Sequence, residues 1–416
     1  MKIAIIGTGI SGLTAAYILN KNHSISLFEK NDYVGGHTHT HDIQFEGKTW
    51  AVDSGFIVYN ERTYPNFITL LDKLKVKRQL TRMGFSVTSR KKDLEYAGHS
   101  LNALFAQRSN LLNPYFHGML YNMMRFNKEA RKDAASLSHD TTLENYLISN
   151  NYSNEFINHY IIPIGAAIWS TVPSMMMKMP AVFFIRFFDN HGLLQIIDRP
   201  KWWVIQNGSK SYVDKIIMDF KQKIRLSAPV KNVKREQDSV KIYYGTKPAH
   251  EESFDAVVFA THSDQSLRLL EKPTKEEREI LGSLPYQKNS ALLHYDESIL
   301  PKRKLAWSSW NYLLDRDDDK PVSLTYNMNI LQSLRCNRTF CVTLNNEHLI
   351  DQKKIIKRLS YEHPLFTPSG IKAQHRRDEI SGKNNTYYCG AYWHNGFHED
   401  GVVSAIEVCN QLGESL

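Results

Sequence analysis

An α/β fold is predicted, in which a parallel, dinucleotide-binding sheet is interrupted by an inserted α+β domain. Two observations predict it. A GxGxxG turn, Gly7-Thr8-Gly9-Ile10-Ser11-Gly12, sits between an apolar run and a helical pattern, and a second apolar run ending in an acid follows. Strand patterns then return in the middle of the chain and near residue 390, separated by long stretches without a dinucleotide pattern.

Taken in order, KIAIIG is a short apolar run ending in glycine and reads as a buried strand. Leu13 to Asn20 reads as a helix whose Ala15 and Ala16 allow close packing on a sheet. HSISLFEK supplies the next strand and ends in Glu29-Lys30. In that setting Gly7 permits a tight turn, Gly9 lets backbone approach a pyrophosphate, and Gly12 lets helix and strand pack. The amides at the helix start, around Ser11, then face an anion. Glu29 lies 17 residues after Gly12, placed to accept hydrogen bonds from a ribose.

Composition narrows the class. At 416 residues the chain exceeds one ordinary core, so one large or two coupled domains are expected. Hydrophobic residues at 42% and charged residues at 23% exclude a disordered chain. The charge of 52 − 43 = +9 favours anionic partners, either phosphate-bearing cofactors or acidic lipid surfaces. With no Arg-rich run and no nucleic-acid module, nucleic acid is not an expected partner. Cys336, Cys341, Cys389 and Cys409 form no CxxC pair and read as reduced thiols, which suits a cytoplasmic protein. Lys2 and the uncharged stretch after it imitate a secretion signal, but three glycines break that stretch and the dinucleotide turn explains them better.

The stretch VGGHTHTHD places His37, His39 and His41 two apart, so in a strand all three would share a face. Imidazole is a common metal ligand. No carboxylate or cysteine completes a ligand spacing, so no metal is expected, and the glycine pair is the stronger signal.

Glu29-Lys30-Asn31-Asp32-Tyr33-Val34-Gly35-Gly36-His37 resembles a pattern of the flavin-binding family that includes the monoamine oxidases and phytoene desaturases. That pattern is an acid, five residues, two glycines, then arginine or histidine. The resemblance implies non-covalent FAD in a discontinuous Rossmann-like domain of the glutathione reductase type. It places His37 near the phosphates and makes His39 and His41 ordinary strand residues. Asp53-Ser54-Gly55-Phe56 resembles the family's next element, which brings backbone under the isoalloxazine ring, although a simple turn is the plainer reading. Ile224 to Val230 resembles the strand whose valine contacts adenine, and the strand ending Ala260-Thr261 matches another family strand. Near the end, Gly390 and the run Glu399-Asp400-Gly401 leading into a helix from Val402 resemble the closing element, whose helix start faces the flavin. On this resemblance 1–66, 201–265 and 381–416 form the FAD-binding domain. Residues 67–200 (helical) and 266–380 (sheet) form the substrate domain.

The implied reaction is hydride transfer from a C–H bond to flavin N5, as an oxidase or a desaturase. Candidate catalytic residues are His398, at the position of an amine oxidase's aromatic cage, and Lys288, two residues short of the family's lysine. The marks His37-Thr38-His39, Asp53 to Asn66 and Gly396 to Gly401 are similar to a bacterial amine oxidase-like group, related to a domain fused to some plant cyclopropane fatty-acid synthases. That implies a lipid-like or acyl substrate and peripheral membrane contact. Amine oxidation is the alternative. A third reading, of another class, is a non-catalytic lipid or prenyl carrier like the GDP dissociation inhibitors. Dense Met and Phe, at Met119, Met123, Met124 and Phe126 and again from Met175 to Phe188, read either as core or as an apolar cavity or membrane-facing lip with Lys178 and Arg186 at its rim, and a cavity wall is the expectation carried forward for Met175 to Phe188.

Overall fold

A computed structural model of the chain describes residues 1–195, 197–246, 249–314 and 322–416. Its first strand, β1 (Lys2–Ile6), helix α1 (Ile10–Leu19) and strand β2 (Ser24–Phe28) follow the sequence reading. β1 is central in a five-stranded sheet ordered Ile224–Arg225, β2, β1, Ala256–Phe259, Thr386–Tyr388. All four neighbouring pairs are parallel. A parallel sheet is covered on both faces, which is why β1 reads as a continuous apolar run. Ile3 and Ile5 pack against α1 and the closing helix, His398–Gln411, while Ala4 and Ile6 pack towards a three-stranded antiparallel sheet of residues 230–254.

The second body is a seven-stranded mixed sheet, ordered Ile355–Pro364, Tyr286–His294, Cys341–Leu344, Leu324–Asn327, Trp310–Leu313, Phe85–Ser89, Leu94–Ala97. Helices Pro114–Asp133, Leu143–Ser149, Ile162–Trp169 and Ala181–Asn190 close around an apolar core beside it.

Three expectations are corrected. The segment 67–200 is not purely helical, because Arg78–Thr81, Phe85–Ser89 and Leu94–Ala97 are strands. The charged turn between the last two hid their alternation, and Phe85–Ser89 is held in place by parallel pairing with distant Trp310–Leu313. The stretch from Ile224 does not run as one strand to Val230. The chain turns at Ser227, whose φ is +50°, and Val230 opens the antiparallel sheet instead. The closing helix begins at His398 rather than Val402, because the Asp400 carboxylate accepts the Phe397 N–H at 2.7 Å and fixes the turn earlier.

Candidate active site

One large cavity, of about 2050 Å3, runs from the α1 start into the second body. Ligand pockets commonly measure about 300–1,000 Å3, so this space exceeds one small ligand. At its α1 end stand Gly7, Gly9, Ser11, Glu29, Lys30 and the Gly35-Gly36 pair. The three motif glycines differ in why they are glycines. A Cβ on Gly12 would lie 2.0 Å from the Gly7 carbonyl oxygen, and one on Gly7, whose φ is +102°, would lie 2.7 Å from the Ala260 oxygen. Both are packing constraints. A Cβ on Gly9 would meet nothing within 4 Å, so at Gly9 the bare backbone faces open cavity at the amino end of α1. Glu29 is held by the Thr8 backbone N–H at 3.1 Å, the Thr8 hydroxyl at 2.6 Å and the Asn31 N–H at 3.0 Å, which fixes its carboxylate at the end of β2.

Gly55, Phe56, Val230, Thr261 and Gly390 also line the cavity. So does His37, whose buried Nε2 has no partner among the described residues and retains hydrogen-bonding capacity. The three alternating histidines do not share a face. The strand starts at Thr40, so His37 and His39 precede it, and only His41 belongs to it. His39 and His41 sit ring to ring at 4.2 Å, whereas His37 turns to Tyr361, His363 and His262. Burial, reinforced by its histidine neighbour, takes the His37 imidazole down to about 4 and His363 to about 3, and burial takes His262 to about 4.

Other expected site residues are not brought to the cavity. The buried Asp53 carboxylate accepts from Ser209 (backbone and hydroxyl), Thr40 and Gln332, tying the Asn207-Gly208-Ser209 turn to the antiparallel hairpin of Thr40–Phe45 and Lys48–Asp53. Burial raises its carboxyl to about 6. Asp53 is therefore a structural tie. Glu399 caps the Pro65–Lys73 helix, accepting from the N–H of Asn66 and Phe67. Asp400 caps its own helix, and burial lifts its carboxyl to about 6. Gly401 is a close-packing position, since a Cβ there would lie 2.7 Å from Ile10 and 2.9 Å from Ser11 Oγ. Val402 is buried in the core.

His398 lines the cavity with one ring face and its Nε2 edge committed. It stacks on Phe56, and its Nε2 shares hydrogen bonds with Thr38 and Tyr212, each at 3.0 Å. Burial holds its imidazole well below the usual range. Lys288 lines the cavity on the same strand face as Tyr286 and is exposed. The stretch from Met175 to Phe188 is mostly core. Met176, Phe184 and Phe188 are fully buried and only Phe187 lines the cavity, while Lys178 and Arg186 do not rim it. The apolar wall comes instead from Met119, Leu120, Met123 and Met124 on the Pro114–Asp133 helix and from Ile164 and Ile168. Met119, Met123 and Met124 belong to the methionine-dense stretch noted in the sequence, whereas Leu120, Ile164, Ile168, Tyr361, His363 and Arg82 were missed by the sequence reading. Tyr361 and His363 carried one usable signal, alternation on the strand Ile355–Pro364.

The fold recurs in solved structures. A fatty acid isomerase of P. acnes that produces CLA is 15% identical with a TM-score of 0.70, over 98% of this chain and 97% of that one. Cyclohexylamine oxidase of Brevibacterium oxydans is 14% identical with a TM-score of 0.70, over 99% of each chain. Putrescine oxidase bound to putrescine is 14% identical with a TM-score of 0.68, also over 99% of each. A family model, flavin containing amine oxidoreductase, matches residues 10–324. With the glycine cradle open at Gly9 and an acid fixed at the end of β2, the chain belongs to the flavin-containing amine oxidoreductases and is an FAD-dependent oxidoreductase.

Proposed function

We propose that the enzyme oxidises a C–H bond of a lipid-like acyl substrate, and that FAD is held without a covalent bond. The observation that carries this reading is the chemistry of the cavity wall. Six cationic side chains line the cavity (Lys30, Arg82, Arg199, Lys201, Arg268 and Lys288), of which Arg268 is paired with Asp264, against two carboxylates, Glu29 and Glu362. A diphosphate takes up part of that positive charge. What remains repels a protonated amine and suits a neutral or anionic head group. The methionine- and leucine-rich helix opposite suits a flexible apolar chain.

FAD supplies the hydride acceptor. The chain's own residues do the rest. Gly9 and Ser11 would present the amides at the start of α1 to the diphosphate while Gly7, whose N–H donates to the Phe28 carbonyl, makes the turn; Glu29 and Lys30 would meet the ribose, and Gly35 and Gly36, with His37 beside them, would leave room along the linking chain. On this reading the binding domain is discontinuous and of the glutathione reductase type, made of 1–66, 201–265 and 381–416, with the substrate domain inserted as 67–200 and 266–380. Met119, Leu120 and Met123 exclude water around the acyl chain. Lys288, exposed to the cavity, is the group best placed to hold or pass a proton, and His398 is a positioning residue.

Anaerobic mixing of holoenzyme with an unsaturated fatty acid or phospholipid is expected to bleach the flavin absorbance, and diamines are expected not to. Rapid bleaching by small amines, with none by acyl compounds, replaces this reading with amine oxidation.

A further inference from the structure

We propose that the segment from Leu101 to Lys128 docks the enzyme on an anionic lipid bilayer and opens the cavity to it. Fourteen large apolar side chains are exposed among the described residues, and six of them (Leu101, Leu111, Leu112, Tyr115, Tyr121 and Met124) fall in this one short segment. Scattered apolar residues on a surface need no explanation, but such a concentration does. Leu112, at 91% exposed, and Leu101, at 77%, have little other use in a monomer in water.

Two further observations choose the occupant. Residues 96–128 contain no aspartate or glutamate, yet carry Arg108, Arg125 and Lys128. Arg108 spends its guanidinium on the Phe105 carbonyl and the Asn102 side chain rather than on a carboxylate. Arg125 is paired with Glu129 at 3.5 Å, which leaves Arg108 and Lys128 as the cations beside the apolar side chains. Such a surface matches an anionic bilayer, where the apolar groups enter the acyl boundary and the cations meet head groups. The patch is also continuous with the cavity. Leu101 and Met124 are both exposed and cavity-lining, so they stand at its mouth. On the Pro114–Asp133 helix the same strip of surface carries His117, Tyr121, Met124 and Lys128 at helical spacing, while Phe116 and Phe126 turn into the core and Met119 to the cavity wall.

This surface rests in part on the acyl-substrate reading, and the test separates them. Holoenzyme is mixed with vesicles of phosphatidylcholine alone, or with 30% phosphatidylglycerol, and sedimented. Binding to the anionic vesicles is expected, at least tenfold stronger than to neutral ones and weakened by 0.5 M salt. The double variant L111S/L112S is expected to lose binding at least tenfold while keeping flavin content and melting temperature, and R108E to lose the preference for anionic vesicles. Equal binding to both vesicle types, or full binding by L111S/L112S, overturns the proposal. So does a wild-type dimer that L111S/L112S turns into a monomer, since a second copy then covers the patch. Flavin bleaching by a soluble short-chain acyl compound without any vesicle binding overturns docking alone. Vesicle binding without bleaching by any acyl compound upholds docking and overturns the substrate reading.

Discussion

The imidazole of His398 lies flat on the ring of Phe56, with centroids 3.5 Å apart and planes tilted by 12°. Thr38 and Tyr212, themselves hydrogen-bonded, hold its Nε2 from the edge. The ring is thus a joint between the closing helix and the loops after the glycine pair.

For that reason His398→Ala is expected to cost stability more than chemistry. Losing a buried stack and two hydrogen bonds costs about 2–4 kcal/mol. The melting temperature of the holoenzyme should fall by several degrees while kcat stays within tenfold. A thousandfold loss of kcat at full flavin occupancy and unchanged melting temperature would make His398 the proton-transfer group.

Gly9→Val should remove FAD and leave a folded apoprotein, because a side chain there enters open cavity rather than protein. Gly12→Val should not fold, since its Cβ alone would overlap the Gly7 carbonyl. Flavin absorbance and the melting temperature of the apoprotein distinguish the two. Full flavin content in Gly9→Val contradicts the placement of the diphosphate.

Met176→Asp should unfold the protein. Its side chain is fully buried against Gly165, and an unpaired carboxylate there costs about 4 kcal/mol or more. Met123→Ser, on the cavity wall, should instead keep the fold and flavin and raise KM for an acyl substrate. Soluble, flavin-loaded Met176→Asp protein contradicts the assignment of that stretch to the core.

Stability should fall as pH drops from about 6.5 towards 4. His37, His262 and His363 titrate near 4, 4 and 3 in the folded state, so unfolded chain takes up their protons first. Asp53 and Asp400 act oppositely, since carboxyls raised to about 6 bind protons in the folded state first and offset part of the loss. With the histidines more numerous, the melting temperature at pH 5 should lie below that at pH 7. His363→Asn should flatten the slope, and a higher melting temperature at pH 5 would overturn the balance.

The glycine cradle was legible in the sequence because Gly7, Gly9, Gly12 and Glu29 answer to local backbone geometry, which a short motif encodes. The substrate wall was not. Met119 and Met176 look alike in sequence, both apolar and both helical, and only tertiary packing decides that one faces the cavity and the other Gly165. Asp53 fitted its motif and yet serves a different end, because its partner Ser209 lies far along the chain and leaves no trace beside it.

The order of the parallel sheet also bears on how the protein is made. Ile3 pairs with Ala256, and Val257 with Thr386, so strands that emerge early from the ribosome must wait for partners synthesised much later. Contacts so distant in sequence close slowly, which leaves apolar edges exposed in the nascent chain. Flavin loading should therefore follow release rather than accompany translation. Expression at low temperature, with chaperones and excess riboflavin, should raise the yield of yellow protein more than stronger induction would.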